Sequence, residues 1–288
     1  MNIVPKVYIS PLLASQKLFT DIHGKPNACL ETNPSLYIDS SGNTTVLIRR
    51  VNYRKFHNRS FSIYQNQSIS DYVIARGHIS QSFDTLDFEP LTYIYDRPTY
   101  STYWRGLEDI RFIDATTVLV TVPECNPSGQ PCIFQATLTN STVHTFLECK
   151  PNNIEKNWMP FLENDEPFVI YSVNPLTRKG IQDEALTTIL DQNEELEGYH
   201  GSTNGILITP DTHLFLIHTS RERSYHRWLK MCNGKSTWSK EFIFFKNAYI
   251  EFPCSLALYQ DRLFVSLGLN DDKAFIVEVP LAAASEFE

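Results

Sequence analysis

No stretch of this chain reaches the ~18 consecutive apolar residues that a membrane-spanning helix needs. The opening segment, MNIVPKVYISPLLASQKLFT, is interrupted by Pro5, Pro11 and Gln16 and lacks the apolar run of a secretion signal. These absences predict a soluble, cytoplasmic protein with no transmembrane segment. Basic blocks are missing too. The net charge of -8 is spread over many short stretches, which argues against nucleic acid as a partner. The six cysteines, Cys29, Cys125, Cys132, Cys149, Cys232 and Cys254, are too few and too scattered for a disulfide framework. Only Cys125 and Cys132, bracketing NPSGQP, are placed to meet across a turn. No Cys/His set has zinc-finger spacing, no Asp-x-Asp follows a nucleotide-binding α/β pattern, and no trio of oxygen ligands stands out. The expected chemistry uses neither a metal nor a cofactor.

Helical periodicity is nearly absent, and the best helix candidate is the short run 182–191, QDEALTTILD. What is present reads as strand: 12% aromatic residues, short β-branched runs, and turns of Asn, Asp, Gly and Pro. Similar apolar strands recur at TTVLIRRVNY from Thr44, TTVLVTVP from Thr116, EPFVIYSVNP from Glu166, HLFLIHTS from His213 and DRLFVSLGLND from Asp261. Each is preceded by a polar signature: NPSLYID at 33, GLEDIRFI at 106, EKNWMPF at 155, GSTNGILI at 201 and IEFPCSLALY at 250. Five units of roughly 48 residues almost fill the chain, as a five-bladed β-propeller requires. The first interval is longer, and its excess falls in the Gln/Ser/Asn-rich stretch 55–82, read as an insertion that serves as a flap or an interface. The expectation is an all-β, single-domain five-bladed propeller over 1–280, with 281–288 as a tail. The first strand of each blade would line the central channel, so the polar signatures would converge at one end of it.

The order and phase of Asn-Pro-Ser at 33–35, Gly-Leu-Glu-Asp-Ile-Arg at 106–111, Glu-Lys-Asn-Trp at 155–158, Gly-Ser-Thr at 201–203, Tyr-His-Arg at 225–227 and Gly-Leu-Asn-Asp at 268–271 carry a resemblance. The chain resembles the five-bladed propellers of the mannoside phosphorylase and β-mannosidase family, and more closely the propeller glycosyltransferases of glycan assembly, including those of large algal viruses. The resemblance implies a nucleotide-sugar donor, UDP-xylose or GDP-mannose by branch, and an oligosaccharide or glycoprotein glycan acceptor. It places Asp109 at the family's catalytic acid and Asp271 or Asp272 at a substrate-binding aspartate. Ile110 stands where the family has proline, and no second arginine and lysine for inorganic phosphate is evident, which turns the expectation away from phosphorolysis.

Read for chemistry, transfer of a sugar with inversion needs one carboxylate near the acceptor and cations against the departing phosphate. Asp109 is the candidate base, tuned by Glu108 and Arg111. Lys156, Arg227, one of Arg49 and Arg50, and the hydroxyls of Ser202 and Thr203 are candidates for holding the donor's phosphates. His226, Tyr225, Trp158, Glu251 and Asp271 are candidates for gripping sugar. His200 and His218 are either site groups or satisfied strand histidines. Two other readings compete. A hydrolase or phosphorylase is the first; inverting hydrolysis needs two carboxylates about 6.5–9.5 Å apart, supplied by Asp109 with Glu251 or Asp271. A catalytically silent glycan- or protein-binding propeller is the second, since fold alone does not fix function.

Overall fold

The computed structural model describes residues 2–3, 8–12, 18–20, 26–56, 60–63, 67–148 and 154–284. Five antiparallel blades stand around a central channel. From the channel outward, the first blade runs Leu30–Ile38, Asn43–Val51, Ser68–His78 and Glu89–Pro90. The second runs Glu108–Phe112, Thr117–Thr121, Ile133–Thr139 and Thr142–Glu148, with Thr92–Tyr95 added in parallel at its rim. The third is Met159–Glu163, Glu166–Val173, Leu176–Gly180 and Thr187–Leu190. In the fourth the inner strand is split into His200–Gly201 and Ile206–Thr209, both paired with Thr212–Ser220, beyond which lies Ser224–Cys232. The fifth has Glu251–Tyr259, Arg262–Leu269 and Lys273–Pro280, and its outermost strand, Tyr8–Leu12, comes from the other end of the chain. That pairing closes the ring and covers a strand edge that would otherwise be open to association.

The recurrent apolar runs are the second strands, and the polar signatures are the inner strands ahead of them. Second strands are apolar over their central residues because both of their faces are covered by neighbouring blades. Val118 and Val120 pack toward the first blade while Leu119 packs toward the third; Leu214 and Leu216 face the fifth while Phe215 and Ile217 face the third. Five hydrophobic clusters result, one at each blade–blade interface. Burying each such side chain contributes roughly 1.5–3 kcal/mol, and a blade taken alone would lose both faces' worth.

Three expectations change here. Segment 182–191 is not helical: Thr187–Leu190 is the outer strand of the third blade, where the β-branched pair Thr187 and Thr188 suits a pleated edge. The stretch 55–82 is not all insertion: Ser68–His78 is a full third strand of the first blade, and Tyr53–Lys55 pairs with Phe61–Ile63 as an added hairpin. Cys125 and Cys132 are buried and not joined in a disulfide, with the Cys132 thiol donating to Val122 O at 3.3 Å. Cys149 lies outside the described residues. Residues 281–284 form a short 3-10 turn packed on the fifth blade, with Leu281 N donating to Asp261 O at 3.0 Å. No helix among the described residues is long and apolar enough to cross a membrane.

Candidate active site

The inner strands of the first and second blades each carry one extra residue against their partner strand. Thr32 faces Arg49 and Ser35 faces Leu47; Glu108 faces Thr121 and Arg111 faces Leu119. A bulge of this kind re-aims one side chain out of the pleat. The bulged residues are Asn33 and Asp109, at matching positions in adjacent blades, and both have left-handed backbone, φ 40° and φ 48°. Asn and Asp tolerate that region better than other side chains, at a cost of about 1 kcal/mol. Asn157 (φ 63°) and Asp271 (φ 55°) share it, and all four line one cavity of ≈ 310 Å³ at the channel mouth. The other left-handed non-glycine residues among those described, Asn140, Asn164, Asp165, Asn233, Gln260 and Asn270, sit in turns between strands.

Within it, Asn33 Nδ2 donates to Asp109 Oδ1 at 3.0 Å, and Arg49 Nη1 donates to the same oxygen at 3.3 Å. Arg49 Nη2 also donates to Glu108 Oε1 at 2.6 Å. One buried guanidinium therefore serves two carboxylates, and the trio carries one net negative charge when both are ionised. Their side chains are 22% and 19% exposed, so each keeps an accessible face. Burial pushes the Glu108 carboxyl above the usual carboxylate range, with Arg49 opposing and Asp109 adding to the shift. Burial acts against the Arg49 charge as well, but Glu108 and Asp109 outweigh it and keep the guanidinium charged.

Lys55, Lys156 and His218 also line the cavity. Lys55 reaches over from the hairpin of the first blade to Asp271 Oδ2 at 3.2 Å. Lys156 is exposed and forms no hydrogen bond or ion pair among the described residues. His218 is buried and its Nδ1 has no partner; burial, aided by His226, His200 and Arg111, pushes its pKa down to about 3, so the ring is neutral. Beneath the cavity, Arg111 Nε donates to Ser202 O at 2.6 Å and Nη1 to Asp109 O at 3.3 Å, while Nη2 has no partner.

Several sequence candidates are occupied elsewhere. Ser202 Oγ donates to Pro253 O at 2.7 Å and Thr203 Oγ1 accepts from Leu216 N at 3.0 Å, so both are fully buried joints near the fourth blade's broken inner strand. Arg50 is paired with Asp71 at 2.9 Å, and Arg227 donates to Tyr199 Oη at 3.0 Å and Ser239 O at 2.7 Å. Trp158 is buried, its Nε1 donating to Glu155 Oε2 at 3.0 Å and its ring capped by Lys179 Nζ at 4.4 Å. Tyr225 donates to Glu222 on the surface. His226 is buried against Glu251 Oε2 at 2.9 Å. Glu251 borders the cavity, but its carboxylate is spent on His226, Arg223 and the N–H groups of Phe244 and Phe245. Apart from Tyr225 on the surface and Glu251 at the cavity's edge, these side chains are taken up in contacts within or between blades. Conversely, Lys55, Asn157 and His218 belong to the site. Asn33 carried a signal in its Asn-Pro-Ser signature, whereas Lys55 carried none.

No family model matches the sequence, and no curated protein is similar to it at sequence level. Solved structures are similar in fold. A β-1,2-mannobiose phosphorylase from Listeria innocua superposes with TM-score 0.65 over 90% of this chain and 92% of its own, at 14% identity. A glycosyl hydrolase from Bacteroides ovatus gives 0.63 over 96% and 92%, also at 14% identity. A mannose phosphorylase from Leishmania mexicana, in complex with phosphate ion, gives 0.56 over 88% and 84% at 9% identity. The fold is that of mannoside phosphorylases and related hydrolases. This corrects the expectation of a nucleotide-sugar glycosyltransferase. The neighbours cleave glycosides, and the side chains expected to hold a nucleotide diphosphate, Arg50, Arg227, Ser202 and Thr203, are locked into blade joints.

Proposed function

We propose that this protein cleaves a mannosidic linkage at the channel mouth, with inorganic phosphate as the attacking group. The observation that supports this most is the state of the cavity's carboxylates. Glu251 spends both carboxylate oxygens on protein partners, Glu108 and Asp271 are each held in an ion pair, and Asp109, paired with Arg49 through Oδ1, presents Oδ2 without a protein partner. Attack by phosphate needs no base, because the nucleophile is already an anion. Lys156, a lysine with no protein partner lining the same cavity, supplies the countercharge.

In this reading Asp109 holds the proton. Asn33 and Arg49 fix Oδ1, and the proton passes from Oδ2 to the glycosidic oxygen as its bond to the anomeric carbon breaks. A phosphate oxygen bonds that carbon from the opposite face, giving a sugar 1-phosphate and a shortened glycan. Arg49, already charged, stabilises the carboxylate left behind.

The test is incubation of the protein with β-1,2-mannobiose, with and without inorganic phosphate, and analysis of products by NMR. Phosphate-dependent mannose 1-phosphate supports the reading. Free mannose formed equally without phosphate would move it to hydrolysis, and no turnover of any mannoside would overturn it.

A further inference from the structure

A second and larger cavity opens beside the site. The groove between the third and fourth blades measures ≈ 730 Å³, against ≈ 310 Å³ for the channel-mouth cavity, and the two share Lys156 and Asn157 as a common wall. The wall continues through a cross-strand pair. His200 lines the groove and His218 the central cavity, with their rings 6.0 Å apart. Gly201, between them and Asn157, keeps the wall thin: a Cβ there would stand 2.2 Å from Asn157 O.

The chemistry of the groove fits a neutral, polyhydroxylated ligand. Its lining brings together amides (Asn157, Asn174, Gln192) and an imidazole (His200) with charges of both signs (Glu194, Glu197, Lys156). A peptide or lipid partner would call for an apolar stripe, and an anion for one dominant sign; vicinal hydroxyls are matched by donors and acceptors in alternation. Several of these amides are available. Asn174 Oδ1 accepts from Asn193 N at 2.9 Å, leaving Nδ2 without a partner, and Gln192 makes no hydrogen bond among the described residues. The far rim is built, not loose: Asn193 Oδ1 accepts from Glu195 N at 2.9 Å, capping the 3-10 turn Glu194–Leu196, and Gly198 (φ 72°) then reverses the chain.

We infer that this groove binds the continuing saccharide chain, so that the substrate is an oligosaccharide extending beyond the two sugars that flank the cleaved bond. This rests on the proposed glycoside cleavage in the central cavity. The central cavity lies at the lower edge of the size range of ligand sites, about 300–1,000 Å³, and the groove multiplies the available volume along one direction.

The experiment compares wild-type protein with Gln192→Ala and with Gln192→Ala combined with Asn174→Ala, using β-1,2-mannobiose and β-1,2-mannotetraose. Thermal melting confirms that each variant folds, and Gln192→Ala alone, at an exposed side chain with no partner, covers the case in which the double variant does not. Turnover with phosphate is measured for both sugars, and equilibrium binding of the tetrasaccharide is measured by calorimetry. The expected result is a higher kcat/KM on the tetrasaccharide than on the disaccharide, lowered about tenfold by the double variant while mannobiose turnover is unchanged. Equal kcat/KM on both sugars, with no effect of either variant, would overturn the groove and leave the cleavage reading standing. Absence of turnover with tetrasaccharide binding that the variants weaken would keep the groove as a saccharide site and remove the cleavage reading. Absence of both turnover and binding overturns both.

Discussion

Asn33 and Asp109 occupy the same bulge position in adjacent blades, and Asn33 Nδ2 donates to Asp109 Oδ1 at 3.0 Å across 76 residues of sequence. The two left-handed residues therefore fix each other. One presents an amide and the other a carboxylate, and the bond between them sets which carboxylate oxygen faces the cavity.

Replacing Asp109 by Asn removes the transferable proton yet keeps a side chain that accepts the left-handed backbone. Activity on β-1,2-mannobiose is expected to fall by about 10²–10⁴ in kcat, with the melting temperature nearly unchanged. Asp109→Ala should show the same kinetic loss together with lower stability, because alanine tolerates φ 48° poorly. Steady-state kinetics and thermal melts of both variants decide this, and full activity of Asp109→Asn would remove it as the proton donor.

Gly268 lies in the second strand of the fifth blade, and a Cβ there would stand 2.2 Å from Asn33 Oδ1 and 2.8 Å from Asn33 N. Gly268→Ala must push Asn33 off Asp109. The expected outcome is at least a tenfold loss of kcat/KM, with a destabilisation of about 1–3 kcal/mol, from a residue that does not line the cavity. Activity equal to wild type would show that the Asn33 bond to Asp109 does not matter.

Glu251 is expected to matter for stability. Its carboxylate accepts from Phe244 N at 2.9 Å and Phe245 N at 2.8 Å and pairs with Arg223 and the buried His226. Glu251→Ala leaves two amides and a charge uncompensated, at a cost of about 3–5 kcal/mol. Urea denaturation reads that loss. A variant of wild-type stability with only a raised KM would restore Glu251 as a sugar-binding group.

His218 makes stability depend on pH. Its folded pKa, about 3, lies below the ordinary value of 6.5, so between those values the unfolded chain binds the proton and the folded chain does not. Its contribution is complete above pH 6.5 and is lost as pH falls toward 3, with a slope of up to about 1.4 kcal/mol per pH unit. His218→Gln should flatten the melting-temperature profile across that window. An unchanged profile would mean that the ring is protonated in the folded protein.

The five-fold repeat was legible because a strand covered on both faces is apolar at successive positions, as VLV in TTVLVTVP and LFLI in HLFLIHTS are, and because such strands recurred in phase with polar signatures. GLEDIR drew attention to Glu108, Asp109 and Arg111 for a similar reason: acids and an arginine in a strand demand partners. Less of the site could be read beyond that. SYHRWLKM resembles a binding cluster in sequence, but as a blade's third strand it buries His226 and Trp228 at a blade joint and ties Arg227 to Tyr199.

Sequence alone thus determined the architecture, since period and hydrophobic pattern are local properties that backbone geometry converts directly into blades. It singled out GLEDIR as an inner-strand signature but left open which of Glu108 and Asp109 faces the channel. Tertiary structure decided which polar residues share that space. Lys55 meets Asp271, Asn33 meets Asp109, and Ser202 and Thr203 withdraw into a joint, because ring closure brings together residues whose separation along the chain says nothing of their distance. A side chain's role in a propeller depends on whether it points to the channel or to the next blade, and a single bulged residue reverses that choice.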